Sequence, residues 1–193
     1  MTSEDKPQPR FVESLNTERL IIRRPRLEDA QVLTEAINAS HPELRQWMDW
    51  AVDPQTLERS EDYCRRSTDE WEKGEAFPAL MFLRDDQTLI GGTGLVRADW
   101  HVPKTELGYW CATTHVGNGY ITEAARAITR SAFESLGMVR VELRMDDRNH
   151  RSWAVAERLG FTFEATLAKD ARATDGSLRD TRIYTMFDLS ALT

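Results

Sequence analysis

The sequence predicts a single α/β domain built on a mixed β-sheet. Strand-like and helix-like segments follow one another in the order β-α-α-β-β-β-α-β-α-β-β. The chain has 193 residues, of which 40% are hydrophobic and 30% charged, and this fits one globular domain with a sizeable core. A strand, a glycine turn, a helix and another strand in the middle of the chain indicate a right-handed crossover between parallel neighbours. We expect residues 1–12 to form a polar, disordered tail and residues 13–193 to form the domain.

The first half of the chain predicts a strand, two helices and a hairpin. Residues 17–25 read as a strand that ends at a proline, and residues 27–38 repeat apolar side chains at helical spacing. Residues 57–74 form a second amphipathic segment that ends at a glycine. Two apolar segments, residues 78–84 and 88–97, are separated by a short polar turn and are typical of a hairpin.

The second half contains the predicted crossover and a closing hairpin. Its central helix carries apolar residues in an i, i+3, i+4, i+7 stripe, which predicts one buried face. A shorter helix ends at Gly160, and an Asp-Gly turn joins the last two strands. The predicted segments are strand 105–112, a helix from about 121 to 136, strand 140–145, helix 150–159, and strands 161–168 and 180–189.

The turn before the central helix has the features of an anion-binding loop. Gly117 and Gly119 lie within VGNGYITEAARAI, between a strand and a helix. Glycines let the backbone come close to a ligand, and the helix start offers unpaired N–H groups and a positive dipole end. The pattern therefore favours a phosphate site, although ordinary turns between strands and helices share it.

A second segment, DDRNHRSWAVAERLGF from Asp146 to Phe161, follows the next strand. Together the two segments resemble the acyl-CoA-binding motifs of the GNAT superfamily of N-acetyltransferases, most closely its ribosomal-protein (RimJ/RimL-type) branch. The resemblance extends from about residue 17 to residue 189. It implies the GNAT fold, acetyl-CoA as cosubstrate, and central strands that splay apart at a bulge around the pantetheine arm. In the first motif Gly119 matches, but Val116 stands where Arg or Gln is usual and Ile121 where Gly or Ala is usual.

The resemblance assigns cofactor contacts to three places. Backbone N–H groups at the end of the fourth strand, freed by the bulge, would polarise the thioester carbonyl. The glycine loop would hold the pyrophosphate, and the start of the second motif would cap its helix and contact the pantetheine amides. The residues concerned are Trp110, Cys111 and Ala112; Gly117, Asn118, Gly119, Tyr120, Ile121 and Thr122; and Asn149 and Ser152.

Two side chains are the candidate catalytic groups. Many GNAT enzymes place a tyrosine at the position of Ala156 to protonate the leaving thiolate, whereas the ribosomal-protein branch uses the motif serine, here Ser152. From the residues alone, a serine at the start of a short helix is more often a cap or a first-turn residue than a catalytic group, and only the resemblance reverses this preference. Glu106 matches a glutamate common in this branch and is the candidate general base, but it could also be a strand glutamate that faces solvent. Asp49 and Glu142 are alternative bases.

Trp47 and Trp50 are the candidate acceptor-binding residues. They lie three positions apart on the predicted loop between the first two helices, where aromatic side chains could line a groove for the acceptor. They could equally anchor the core or contact a second subunit, so a homodimer is an open alternative.

Composition argues against several other classes of protein. The net charge of −7 disfavours nucleic acid and suits a cationic amine, although it could simply maintain solubility. No apolar run approaches the roughly 18 residues of a membrane span, and we expect a cytoplasmic protein. Cys64 and Cys111 predict reduced thiols, and four scattered histidines predict no metal site.

The leading hypothesis is an acetyl-CoA-dependent N-acetyltransferase that acts on the α-amine of a protein or peptide. A second hypothesis keeps the reaction but takes a small amine such as a polyamine, an amino acid or an aminoglycoside. A third is an acyl-CoA-binding regulatory module without catalysis. Val116 and Ala156 favour this third hypothesis, and the presence of Ser152 and Glu106 argues against it.

Overall fold

A computed structural model describes residues 11–193, which form an eight-stranded mixed sheet with five α-helices. The strand order across the sheet is β1-β2-β3-β4-β5-β6-β8-β7, with β5 and β6 parallel and the other pairs antiparallel. The strands are β1 (Ser14–Asn16), β2 (Leu20–Arg23), β3 (Phe77–Leu83), β4 (Leu89–Asp99), β5 (Lys104–Cys111), β6 (Arg140–Asp146), β7 (Thr162–Arg172) and β8 (Leu178–Met186). The helices are α1 (Ala30–Ala39), α2 (His41–Leu44), α3 (Leu57–Lys73), α4 (Tyr120–Glu134) and α5 (His150–Arg158).

The predicted mixed α/β fold is confirmed, with two short elements that were not predicted. Strand β1 has only three residues, too few for apolar alternation to show in the sequence. Helix α2 lies inside the predicted loop between the first two long helices and has Pro42 in its first turn, where a missing N–H costs nothing. Residues 1–10 of the predicted tail lie outside the described residues. Phe11, also assigned to the tail, is buried and packs against Trp71 and Phe77, so core packing begins before residue 13.

The helices cover the sheet on both faces, as the resemblance implies. Alternate residues of the strands point to opposite faces, so each face supplies its own core. Helices α4 and α5 bury Ile128 and Val155 in one cluster, and helices α1 and α3 bury Leu33 and Cys64 in the other. Full burial of one such aliphatic side chain contributes about 1.5–3 kcal/mol, so each helix is held mainly by its apolar stripe. No helix within residues 11–193 has the length and apolar character needed to cross a membrane.

Strands β5 and β6 are parallel neighbours for only three residues and then splay apart. Their last paired residues are Glu106 and Glu142. Beyond this point β5 stays paired with β4 as far as Cys111, while β6 stays paired with β8 as far as Asp146. The splay therefore agrees with the expectation, but the bulge does not lie where it was expected. The register shift near the splay is in β4, between Val96 and Asp99, because that strand has one residue more than β5 at this point.

Candidate active site

A cavity of about 350 Å³ opens where β5 and β6 separate. Both strands, the start of α5, helix α3 and the segment before α3 line it. It brings together side chains that lie far apart in the sequence, and it includes both candidate catalytic residues and both candidate acceptor-binding residues. The predicted site residues on its wall are Trp47, Trp50, Glu106, Trp110, Asn149 and Ser152.

The glycine loop that precedes α4 has the conformation of an anion-binding turn. Gly117 and Gly119 have φ values of 88° and 79°, in the left-handed region that glycine adopts without a steric penalty. Glu123 donates its amide to the carbonyl of Gly119, which closes the first turn of α4. The amides of the first turn, from Tyr120 to Thr122, have no acceptor within the helix and point out of its start. They can therefore bind phosphate oxygens with the helix dipole in support.

Two arginines that the sequence analysis did not single out lie against this loop. Arg19 of β2 donates to the carbonyl of Asn118 at 2.9 Å, and its guanidinium lies 4.6 Å from the centre of the Tyr120 ring. Arg158, at the end of α5, donates to the hydroxyl of Thr122 at 2.8 Å. The charge of Arg19 is balanced by Glu123, whose carboxylate lies 2.6 Å away. Arg158 therefore supplies the positive charge here, where Val116 lacks the polar side chain usual in the motif. Arg158 lies inside the second motif and could have been noticed there, whereas Arg19 lies in neither motif.

The end of β5 offers one backbone amide to the gap, fewer than predicted. Ala112 donates its N–H to the carbonyl of Ile90 in β4 at 2.8 Å, so that group is not free. Amide directions alternate along a strand, so the N–H of Trp110 also faces β4, while that of Cys111 faces the edge that β6 has left. Burial raises the pKa of the Cys111 thiol to about 11, which keeps that side chain protonated. The amide of Cys111 is therefore the candidate donor to a ligand in the gap.

Ser152 lies in the first turn of α5 and does not cap that helix. The cap is Asn149, as predicted, whose side-chain oxygen accepts the Ser152 amide at 3.2 Å. The hydroxyl of Ser152 is instead 3.2 Å from the hydroxyl of Tyr109. This contact leaves Ser152 on the wall of the cavity with its proton available for exchange with a neighbouring oxygen.

Tyr109 is a candidate functional residue that sequence reasoning missed. Its hydroxyl is 3.0 Å from the carbonyl oxygen of Ser152 as well as 3.2 Å from the serine hydroxyl. A tyrosine has one proton, so it can donate to only one of these oxygens at a time. When it donates to the serine hydroxyl, the serine proton is free to point into the cavity. Burial raises the pKa of Tyr109 to about 12, so the group stays neutral and keeps its proton near neutral pH.

Glu106 is half-buried on the opposite wall of the cavity. Its carboxylate accepts a hydrogen bond from Arg97 at 2.6 Å. Desolvation by burial raises the pKa of Glu106 above its ordinary value, against the opposing effect of the Arg97 and Arg144 guanidinium groups. A raised pKa makes the carboxylate a better base. Of the alternative bases, Glu142 is paired with Arg140 at 2.7 Å, and Asp49 is exposed and does not line the cavity.

The two predicted acceptor-binding tryptophans form part of the cavity wall. Trp47 and Trp50 are 38% and 40% exposed, so neither is a core residue. Trp50 packs edge to face on Trp110 of β5, with ring centroids 6.0 Å apart. Of the three interpretations left open by the sequence, this exposure argues against the core anchor, and the acceptor groove and a contact with a second subunit both fit it.

An anion site at a helix start, joined through a gap in the sheet to a hydroxyl pair and a carboxylate, is typical of an enzyme that transfers a group from a phosphate-bearing carrier. Residues 19–162 match the family model for the acetyltransferase (GNAT) domain. The chain therefore belongs to the GNAT acetyltransferase family and is an N-acetyltransferase. Within residues 11–193 no cluster of three potential metal ligands is found.

The chain is also similar to individual acetyltransferases, in sequence and in structure. The chain is 28% identical over 176 residues to the uncharacterized N-acetyltransferase p20 of Bacillus licheniformis, covering 91% of this chain and 96% of the relative. It is 27% identical over 141 residues to the ribosomal-protein-serine acetyltransferase of Escherichia coli (strain K12), covering 73% and 77%. A solved structure of RimL, the ribosomal L7/L12 α-N-protein acetyltransferase, in complex with coenzyme A, has a TM-score of 0.86 at 18% identity. The match covers 92% of this chain and 99% of that chain. The last comparison concerns the fold alone.

Proposed function

We propose that this enzyme transfers the acetyl group of acetyl-CoA to the N-terminal α-amine of a protein or peptide. The observation that carries the proposal is the cavity at the splay, because one cavity brings together a candidate base, a candidate acid and an aromatic wall. The similarity to a ribosomal-protein-serine acetyltransferase supports a protein acceptor. Such an acceptor would place the enzyme in the cytoplasm, as the sequence predicts.

In this proposal acetyl-CoA lies across the start of α4 with its arm in the gap between β5 and β6. The pyrophosphate accepts hydrogen bonds from the amides of Gly119 to Thr122, with Arg158 as a neighbouring cation. The thioester carbonyl accepts the Cys111 amide, which becomes a stronger interaction as negative charge develops on that oxygen.

Transfer then needs one nucleophilic attack and two proton movements. The neutral α-amine attacks the thioester carbon and forms a tetrahedral intermediate. Glu106 takes the proton that the amine loses, directly or through a water. As the carbon–sulfur bond breaks, Ser152 gives its proton to the thiolate, and Tyr109 restores the proton to Ser152. Solvent then returns a proton to Tyr109 and takes the proton from Glu106, so that the enzyme ends in its starting state. The products are the acetylated amine and free CoA, and no covalent enzyme intermediate forms.

We expect Gly119→Trp to weaken acetyl-CoA binding by about 10- to 100-fold. Loss of hydrogen bonds to a charged group costs about 1.5–3 kcal/mol, and each 1.4 kcal/mol is a factor of ten. Calorimetry measures the Kd. Gly137→Trp is the matched control, because Gly137 also has a positive φ, at 67°, and open space around it, but lies at the other end of α4. Equal affinity in wild type and Gly119→Trp would remove the pyrophosphate from this loop.

We expect Tyr109→Phe to lower kcat by about 2- to 10-fold, the range that one net hydrogen bond of 0.5–1.5 kcal/mol accounts for. The variant keeps the ring and removes only the hydroxyl that bonds to Ser152. The Kd for acetyl-CoA should not change. If kcat is unchanged, Ser152 does not depend on Tyr109 for its proton.

The protonation state of the acceptor favours an α-amine over a lysine amine. An α-amine has a pKa of about 7.7–8.0 and is partly neutral near physiological pH, whereas a lysine amine at about 10.4 is almost fully protonated. Glu106 therefore has to remove a proton from a smaller fraction of α-amine molecules than of lysine amines, which favours an α-amine as the acceptor. An acidic chain with a net charge of −7 also favours a cationic substrate.

Steady-state kinetics on peptides with free Ser or Ala N-termini, against spermidine and an aminoglycoside, test this assignment. We expect the highest kcat/KM for a peptide. A small amine with kcat/KM well above every peptide would contradict the peptide assignment and support the small-amine alternative. Binding of acetyl-CoA without turnover of any amine would support a non-catalytic module.

A further inference from the structure

We propose that Arg97 is a positioning residue that holds the Glu106 carboxylate on the cavity wall and yields its place to the ammonium form of the acceptor. The inference rests on the proposed function, because it assumes that Glu106 meets the acceptor amine. It goes beyond that function by assigning a role to a side chain outside both motifs.

The first observation is the backbone of Arg97. This residue has a φ of 54°, in the left-handed region that a residue with a Cβ rarely adopts. It occupies the register shift of β4, where Val96 pairs with Glu106 and the next pair is Asp99 with Lys104. Backbone strain of this kind persists only when the surroundings impose it, and it is concentrated at functional positions.

Hydrogen bonds on both sides hold the strained residue in place. The carbonyl of Val96 accepts the hydroxyl of Thr105 at 2.9 Å, and the amide of Ala98 donates to the backbone carbonyl of Glu75 at 3.3 Å. The side chain of Arg97 therefore leaves β4 in a fixed direction, across to the neighbouring strand. In a regular strand, the side chain of residue 97 would project from one face of the sheet and would not reach Glu106 on the neighbouring strand.

The second observation is the unequal exposure of the ion pair. The Arg97 side chain is 74% exposed, whereas that of Glu106 is 18% exposed, and their charged atoms are 2.6 Å apart. An exposed guanidinium loses little when water replaces its partner, because surface ion pairs contribute only about 0–1 kcal/mol. A half-buried carboxylate loses more when it is left without a cation. The pair is therefore suited to exchange one cation for another at Glu106.

The other charged groups near Glu106 are already engaged or more distant. Within residues 11–193, Arg97 is the one side chain that donates a hydrogen bond to this carboxylate. On β6, Glu142 is paired with Arg140, and Arg144, whose charge also acts on Glu106, lies nearer to Asp170, at 3.2 Å, than to Glu142, at 3.8 Å. Of the other charged residues on the wall, Asp146 pairs with Arg148 at 2.7 Å and Arg179 donates to Thr181. On α3, the cavity wall carries Arg66 and Glu70, whose charges balance. Arg97 is thus the cation that an incoming ammonium group has to replace.

Three variants separate the charge of Arg97 from its backbone strain. Arg97→Gln removes the charge and keeps the strain, Arg97→Lys keeps the charge, and Arg97→Gly removes both. With the best acceptor of the panel at a pH where Glu106 is ionised, we expect Arg97→Gln and Arg97→Gly to lower the KM for the amine by about 2- to 5-fold, because a competing cation worth up to about 1 kcal/mol is gone. Arg97→Lys should keep a KM close to that of wild type.

The pH profile gives a readout that a purely structural role would not change. Loss of the guanidinium raises the pKa of Glu106, so the acid limb of kcat/KM should move to higher pH in Arg97→Gln and Arg97→Gly and stay in place in Arg97→Lys. The melting temperature of Arg97→Gly should exceed that of Arg97→Gln, because glycine adopts the left-handed φ without strain. A KM for the amine and an acid limb that stay at wild-type values in Arg97→Gln would overturn the proposal.

A spectroscopic measurement keeps this test independent of turnover. In wild-type protein saturated with CoA, the ¹⁵N resonance of Arg97 Nε, identified by its loss in Arg97→Gln, should shift when peptides or small amines are added. No shift with any amine at saturation would overturn the exchange of cations, even if acetyl transfer to peptides is confirmed. A shift with small amines alone would contradict the peptide acceptor and leave the role of Arg97 intact.

Discussion

Replacing Ser152 by alanine is expected to lower kcat by about 10²–10⁴-fold, the usual contribution of one positioned acid or base. The hydroxyl lies on the cavity wall and is 3.2 Å from the hydroxyl of Tyr109, which can supply the proton that Ser152 gives to the thiolate. The Kd for acetyl-CoA should change little, because this interaction matters only as the carbon–sulfur bond breaks. Steady-state kinetics give kcat, and calorimetry gives the Kd.

Ser135→Ala is the matched control for this variant. Ser135 follows α4 and makes a hydroxyl contact of the same length, 3.2 Å, with Ser131, away from the cavity. It should keep kcat within about 2-fold of wild type, since removal of one half-buried hydrogen bond outside the cavity changes only stability. A normal kcat in Ser152→Ala, or a loss that appears only in the Kd, would show that Ser152 is a binding residue and not the acid.

The second large effect is expected for Glu106→Gln, which should lower kcat/KM near neutral pH by about 10²–10⁴-fold. An amide cannot take the proton from the acceptor amine, although it has nearly the same shape. Above pH 8 the α-amine, with a pKa of about 7.7–8.0, is already neutral, so activity should partly recover there. In wild type, activity should be lost at low pH. The half-buried Glu106 has a raised pKa, and its carboxylate becomes protonated and stops acting as a base as the pH falls through that value.

Glu142→Gln is the control for the second variant. Glu142 is the paired neighbour of Glu106 on the adjacent strand, but its carboxylate bonds to Arg140 at 2.7 Å. We expect a much smaller loss and no recovery at alkaline pH. Equal losses in Glu106→Gln and Glu142→Gln would mean that the negative charge of the two glutamates matters and that neither glutamate is the base.

Elements with a strong periodic pattern could be predicted from the sequence, and elements set by tertiary pairing could not. The stripe of Ala124, Ile128 and Ala132 predicts the buried face of α4, and all three are fully buried. Strand β1 depends on pairing with β2 and carries no pattern of its own. The splay of β5 and β6 was expected only from the family resemblance, because nothing in the composition of either strand shows that each follows a different partner.

The candidate site was predictable where it lies in a motif and unpredictable where it depends on contacts across the fold. Ser152 and Glu106 were found from their motifs, and the cavity contains both. The contact of Tyr109 with Ser152 spans 43 residues and depends on how α5 packs on the sheet. Ala112 was predicted to have a free amide, but strand alternation directs that group to β4. The left-handed backbone of Arg97 gives no sequence signal, because that conformation usually marks a glycine.

The most direct test of the account is the position of the acetyl group on a peptide that offers two amines. The peptide carries a free N-terminal serine and an internal lysine, and it is incubated with acetyl-CoA and either wild-type or Ser152→Ala enzyme. Fragment-ion mass spectrometry then locates the added acetyl group. We expect wild type to acetylate only the α-nitrogen and Ser152→Ala to give little product in the same time. Acetylation mainly at the lysine, or equal product with both enzymes, would contradict the proposed acceptor and the proposed acid respectively.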